Sequence, residues 1–309
     1  MKIVITGYFP EAAKRKIRES IPEEWELAIV SPEAVTEELG TAEVLIPEHV
    51  QVNAALLEKA PQLKLVQTGA GYDNVSLADC TRYGVQVCNA AGVNAAAVAE
   101  HVMAFILCHY KNLIRLDRYM KACEPGETPH YAGAELSEKV IGIVGMGNVG
   151  RTVAAYSRAF GMRVLGCGRK GAELPGVEMR SLEELCRESD IVSLHVPLTA
   201  ETRHMINADV FRIMKKNALL INTARGAVVD EAALIRALQD GEIGGACLDV
   251  YEDEPLSAES PLRDLEQVIL TPHTAGYPDG VQFHKKRYAF FVSNIRKVLG
   301  SETPACRLN

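Results

Sequence analysis

The sequence predicts an α/β protein with two doubly wound parallel-sheet domains, and three observations carry that expectation. Short apolar runs alternate with polar, helix-compatible segments along most of the chain, the rhythm of parallel strands covered on both faces. The rhythm occurs twice, before and after a long helical stretch at residues 95–123. The second series opens on VIGIVGMGNVG, residues 140–150, where an apolar run enters a glycine turn.

In the first series, residues 2–6, 25–30, 43–46, 64–68 and 85–88 read as strands. A helix is expected from residue 11, with others at 33–39, 54–59 and 77–83. Together they make a small doubly wound, flavodoxin-like domain. Residues 95–123 read as one long helical stretch, partly or fully buried and capped by Asn94. Residues 124–134, with two prolines and two glycines, read as a loop. The second series places six strands at 140–144, 163–166, 191–195, 218–222, 245–250 and 268–271, followed by a closing helix at 279–299.

Gly145, Gly147 and Gly150 fill G-x-G-x-x-G between a strand and a helix that starts near Asn148. Gly145 permits the tight turn, Gly147 lets a pyrophosphate approach the backbone, and Gly150 lets the helix pack closely. The free N–H groups and positive dipole end of that helix suit an anion. This is a Rossmann dinucleotide site in its required context. The ribose-binding carboxylate normally found about 20 residues on is missing; Gly168 is followed by Arg169 and Lys170. Two cations attract a 2′-phosphate, so NADP is expected over NAD.

The 309-residue length fits two domains, and the net charge of −7 argues against nucleic acid or an anionic membrane as partner. No apolar run approaches a membrane span, and the N-terminus does not read as a signal peptide. The eight cysteines lack C-x-x-C spacing, which fits free thiols in a reducing cytoplasm and no metal site.

Three strand ends in the second series deliver polar residues. Ile221–Gly226 carries Arg225, Leu248–Pro255 carries Asp249 and Glu254, and Leu270–Gly276 carries His273. In an open α/β sheet, ligands sit beyond the carboxyl ends of strands. An arginine can hold a carboxylate bidentately. An imidazolium can act as a general acid. A glutamate on the other ring nitrogen raises the histidine pKa and fixes its orientation.

With GAGYDN at 69–74, NAAAVAEH at 94–101 and HVPLT at 195–199 in the same order and spacing, the chain resembles the D-isomer-specific 2-hydroxyacid dehydrogenases over essentially its whole length. The resemblance implies a catalytic set of Arg225, Glu254 and His273. It implies a discontinuous substrate domain, 1–94 with 284–309, a dinucleotide domain, 95–283, and an active-site cleft between them. Asn148 and Val149 would meet the pyrophosphate; Val196, Pro197, Thr223 and Ala224 would line the cofactor through backbone contacts. Asp249 would bind the nicotinamide carboxamide or ribose, and Ala70 and Gly71 would offer N–H groups to the substrate carboxylate. His101 is expected to pack within its helix rather than react. A homodimer follows from the same resemblance. The loop at Pro47-Glu48-His49 lacks arginines for a phosphorylated substrate, leaving small acids such as glyoxylate, hydroxypyruvate or pyruvate. The alternative is a dinucleotide-sensing, corepressor-like binding protein on the same scaffold; oxidation of formate or a similar small acid is the minor enzymatic option.

Overall fold

Val, Ile and Leu fill the strands because both faces of each parallel sheet are covered. The computed structural model describes residues 1–122, 133–168, 174–278, 280–281 and 283–309. These form two compact units, Met1–Asn94 with Tyr277–Asn309, and Ala95–Gly276. The return to the first unit falls at Tyr277, ahead of residue 284.

The first unit contains β1 (Lys2–Thr6), β2 (Glu26–Val30), β3 (Val44–Pro47), β4 (Leu65–Gln67) and β5 (Gln86–Cys88). They pair in the order β2-β1-β3-β4-β5, all parallel, which is the flavodoxin-like order. Alternation along β1 sends Ile3 and Ile5 to a core shared with Tyr288, Phe291 and Ile295 of the closing helix. Val4 faces the opposite core, with Leu39, Leu57 and Cys80.

The second unit contains β6 (Val140–Val144), β7 (Arg163–Cys167), β8 (Glu178–Met179), β9 (Ile191–Leu194), β10 (Leu219–Asn222), β11 (Gly245–Leu248) and β12 (Val268–Leu270). The order is β12-β11-β10-β9-β6-β7-β8, again all parallel. Counted from β6, this is the dinucleotide-binding order with one strand added. The sheet has seven strands where six were expected, because the two-residue β8 is too short to show alternation. Arg163 holds β8 at the edge through two hydrogen bonds to Glu178, at 2.8 and 2.7 Å.

Two helical expectations need correction. Residues 95–123 are not one helix: Ala95–Tyr110 and Leu113–Ala122 are separated at Asn112, whose φ of +51° leaves the right-handed region. Asparagine visits that conformation at low cost, so the apolar pattern continues while the axis breaks. Asn94 does not cap the first of them; its buried Oδ1 has no hydrogen-bond partner. The closing helix runs Lys285–Leu299, later than residue 279, and its N-cap is His284, whose ring accepts from the Arg287 N–H. Among the described residues, no helix is long and apolar enough to cross a membrane, and no group of three His, Cys, Asp or Glu residues is placed to hold a metal ion.

Candidate active site

β6 runs directly into the glycine turn, and each glycine meets a different constraint. Gly145 has φ +103°, and a Cβ there would stand 2.4 Å from the His195 carbonyl oxygen. A Cβ on Gly150 would stand 2.0 Å from the Gly145 oxygen, so the helix Asn148–Ala159 packs straight onto the turn. Gly147 caps that helix without a side-chain bond, and a Cβ on it would meet nothing within 4 Å. Asn148 and Val149 belong to the first turn of that helix, whose N–H groups have no intrahelical partner. This cradle fits a dinucleotide phosphate. Val196 lies at its rim, its Cγ1 3.0 Å from where a Cβ on Gly145 would stand. Pro197 follows, its carbonyl accepting from Thr202 Oγ1 at 2.6 Å. Gly168, at the end of β7, sits against Met146; a Cβ on it would stand 3.4 Å from the Met146 nitrogen. Arg169 and Lys170 lie outside the described residues. His195 is structural: its Nε2 contacts Ser193 Oγ at 2.9 Å, and burial pushes its pKa down to about 3.

The arginine turn follows β10. Asn222 is buried; its Nδ2 donates to the Arg225 carbonyl at 2.9 Å and its Oδ1 accepts from the Ala224 N–H at 3.0 Å. That one side chain folds Thr223, Ala224 and Arg225 into a tight turn. Arg225 Nη1 donates to the Ala224 carbonyl at 2.7 Å. Gly226 then passes so close to the next loop that a Cβ would lie 1.8 Å from Tyr251 backbone atoms.

That next loop carries the acid. Glu254 Oε1 accepts from the Tyr251 N–H at 3.2 Å, and Oε2 meets His273 Nδ1 at 2.7 Å. The Tyr251 hydroxyl lies 2.9 Å from the Thr271 carbonyl and 3.2 Å from that of Leu248, tying the ends of β11 and β12 together. His273 has φ +53°, and its N–H donates to the Asp249 carbonyl at 2.8 Å. The histidine therefore leaves β12 through a backbone conformation uncommon for its type.

Asp249 holds that conformation. Its carboxylate is almost fully buried; Oδ1 accepts from the Thr271 hydroxyl at 2.6 Å and the Thr274 N–H at 2.9 Å, and Oδ2 from the Ala275 N–H at 2.9 Å. His101 Nε2 lies 3.1 Å from Thr271 Oγ1. The hydroxyl has one proton, already given to Asp249, so His101 donates through Nε2–H and its tautomer is fixed. His101 thus does more than pack against Phe105, whose ring it meets edge-on at 4.5 Å.

Electrostatics separates the two histidines. Burial lowers the His101 pKa against the pull of Asp249. Burial also lowers His273, but the Glu254 hydrogen bond and charge outweigh it and the opposing Arg225 charge, so His273 lies above the ordinary histidine value. Burial raises Glu254, and the bond to His273 more than reverses it, so the carboxyl lies below its ordinary value.

In the first unit, Gly69, Ala70 and Gly71 follow β4. The Gly69 carbonyl accepts from the Ala90 N–H at 2.8 Å and the Ala70 carbonyl from Asn89 Nδ2 at 3.0 Å, which fixes those peptide planes. Sequence reasoning named Arg225, Glu254 and His273 and missed what holds them: Asn222, Gly226, Tyr251, Thr271 and His101. The signal for two of these was their position, flanking the arginine turn in Asn222-Thr223-Ala224-Arg225-Gly226.

Residues 103–275 match the family model for the D-isomer specific 2-hydroxyacid dehydrogenase, NAD binding domain. A glyoxylate reductase of Aeropyrum pernix is 43% identical over 236 residues, 73% of this chain and 70% of its own length. A D-lactate dehydrogenase from Aquifex aeolicus, solved with NAD and lactic acid, superposes with a TM-score of 0.85 at 33% identity, covering 97% of this chain and 96% of that one. An acyclic imino acid reductase solved with NADPH and D-Arg gives a TM-score of 0.87 at 28% identity over the whole of both chains.

The overlap at Gly226 is with backbone, which cannot swing aside. Gly226→Ala is expected to destabilise the protein by roughly 1–3 kcal/mol or more. Urea unfolding measures it, and an unchanged midpoint would show that the two loops are not in contact.

Proposed function

Since the chain belongs to the D-isomer-specific 2-hydroxyacid dehydrogenase family, we propose that it reduces a small, unphosphorylated 2-oxo acid to the D-2-hydroxy acid with NAD(P)H, and runs the reverse reaction. The observation that carries the proposal is the 2.7 Å pair of His273 and Glu254, set at the same carboxyl edge as Arg225 and the open glycine turn.

When bound, the nicotinamide supplies hydride to C2 of the acid, or accepts it in reverse. Arg225 clamps the substrate carboxylate and polarises the carbonyl. In the same proposal the N–H groups of Ala70 and Gly71 receive that carboxylate. His273, protonated, gives its Nε2 proton to the carbonyl oxygen as the alkoxide charge develops, and takes it back in oxidation. Glu254 stabilises the imidazolium and leaves Nε2 as the free end, because Nδ1 is already engaged. Reduction needs the proton on His273. The raised pKa keeps it there to higher pH, and reductive turnover falls as pH rises through that value.

The cofactor-side residues of the proposal are Gly145, Gly147, Asn148, Val149, Gly150, Val196, Pro197, Thr223, Ala224 and Asp249. Asp249 keeps acceptor capacity on Oδ2, whose partner is the Ala275 N–H. The NADP preference rests on sequence alone: Gly168, Arg169 and Lys170 stand where a ribose-binding carboxylate would repel a 2′-phosphate. A cytoplasmic setting is proposed from the cysteine usage, and the described cysteines are all free.

A panel of 2-oxo acids, assayed with NADPH and NADH side by side, tests these points together. Turnover is expected, with kcat/KM higher for NADPH, and His273→Asn should lower kcat by about 10²–10⁴-fold. Clear NADH preference would end the NADP proposal. No turnover on any acid would favour the dinucleotide-sensing binding protein.

We also propose a homodimer. The helix Leu113–Ala122 has no buried residue, and Leu113 and Ile114 are 50% and 38% exposed. An exposed apolar face of this kind marks an association surface. Light scattering should give twice the 33.7 kDa chain mass and a monomer for Ile114→Asp. A monomeric mass for the unaltered protein would contradict the dimer.

A further inference from the structure

The arginine turn after β10 and the acid loop after β11 are both held by a residue outside them, His204. Its backbone is left-handed, with φ +51°, and its N–H donates to the Ala227 carbonyl at 2.9 Å. The chain then runs beside the exit of the arginine turn. The Ile206 N–H donates to the Val228 carbonyl at 3.2 Å, and the Asp230 N–H to the Ile206 carbonyl at 2.9 Å. The ring meets the acid loop, with Nε2 standing 2.7 Å from Glu252 Oε1. At that distance the nitrogen carries a proton, since two lone pairs would repel. The contact lies off the line of a hydrogen bond, so the ring turns a positive edge on the carboxylate rather than an aligned donor.

Glu252 sits where such a partner matters. It is tied reciprocally to Glu231, the first residue of the helix Glu231–Gln239. The Glu252 N–H donates to Glu231 Oε2 at 3.1 Å, and the Glu231 N–H donates to Glu252 Oε1 at 3.3 Å. The two bonds fix residue 252 by backbone and side chain at once, but they bring two carboxylates together. Burial raises the Glu231 pKa, and the Glu252 and Asp253 charges push the same way against the Glu252 N–H bond. Asp230, the N-cap of that helix, adds a further carboxylate beside them, accepting from the Ala233 N–H at 2.9 Å. Residue 252 is also next to Tyr251, whose N–H binds Glu254 Oε1 while Oε2 meets His273. A shift of residue 252 therefore reaches the His273–Glu254 pair within two residues.

We propose that His204 is a positioning residue for the reaction: by countering the Glu231–Glu252 repulsion it fixes the acid loop, and through that loop the Glu254 carboxylate on His273. The consequence for turnover rests on the reductase reading above; the positioning does not. The charged groups facing His273 are Glu254, Arg225 and Asp249, and those at the Glu231–Glu252 contact are His204 and Asp253. Glu254 is the link between the two sets.

An NMR titration of the His273 imidazole reads this without a substrate. His204→Asn removes the ring and keeps the left-handed backbone, which asparagine adopts at low cost. It should lower the His273 pKa by about 0.5 or more, and kcat by about tenfold. In a Glu254→Gln background the same substitution should leave the titration where it was, because the link is gone. Adding Glu231→Gln to His204→Asn keeps an acceptor for the Glu252 N–H and removes one repelling charge. That pair of changes should return the titration to that of the unaltered protein, which a ring needed only for packing would not allow. Glu252→Ala cuts the contact from the other side and should give the same fall, so it covers a failure of His204→Asn to fold. An unmoved titration in either variant, an equal fall in the Glu254→Gln background, or no recovery with Glu231→Gln would overturn the proposal. Loss of the fold in both His204→Asn and Glu252→Ala would overturn it too, by showing a scaffold role. Absence of turnover with these shifts present is a different result: it removes the reductase reading and leaves the positioning of Glu254 in place.

Discussion

The hydrogen bond between His273 Nδ1 and Glu254 Oε2 is the interaction on which the rest of the site depends. The two residues come from different loops, one after β11 and one after β12, and they meet at 2.7 Å. Neither is deeply enclosed; the side chains are 49% and 32% exposed. Solvent screens such a pair, so its value lies in orientation and protonation more than in stability. The bond commits Nδ1 of the ring.

Delivering that pair requires a rigid edge. Parallel strands end in register, which places the turns after β10, β11 and β12 side by side. Tyr251 ties two of those ends together by its hydroxyl. Gly226 lets the arginine turn lie directly on the Tyr251 backbone. Asp249 spends most of its carboxylate on shaping the segment from Thr271 to Ala275, and His101 supports it from the helix Ala95–Tyr110. A buried carboxylate that accepts from several donors is held in one orientation, which makes it a good clamp for a left-handed histidine.

Much of this was legible in the chain. Both parallel sheets could be read because buried parallel strands are short apolar runs with regular spacing. The glycine motif could be read because each glycine answers a separate steric demand, and Gly145, Gly147 and Gly150 meet those demands one by one. The break at Asn112 was not legible, since the apolar pattern runs through it and only a backbone angle changes. Nor was β8, which has two residues and depends on Arg163 from a neighbouring strand. Asn222, Thr271 and His101 look ordinary in sequence; their roles appear only when strand ends far apart in the chain are adjacent.

The most direct test of the central interaction is an NMR titration of the His273 imidazole in the protein and in Glu254→Gln. The account predicts a pKa above the ordinary histidine value of about 6.5, falling when the carboxylate is removed, because Glu254 is what outweighs burial and Arg225. By linkage, the pair's contribution to stability is complete between the ordinary carboxylate and histidine values; it is lost as pH rises through the raised His273 value and as pH falls through the lowered Glu254 value. An identical titration in the two proteins would contradict the account.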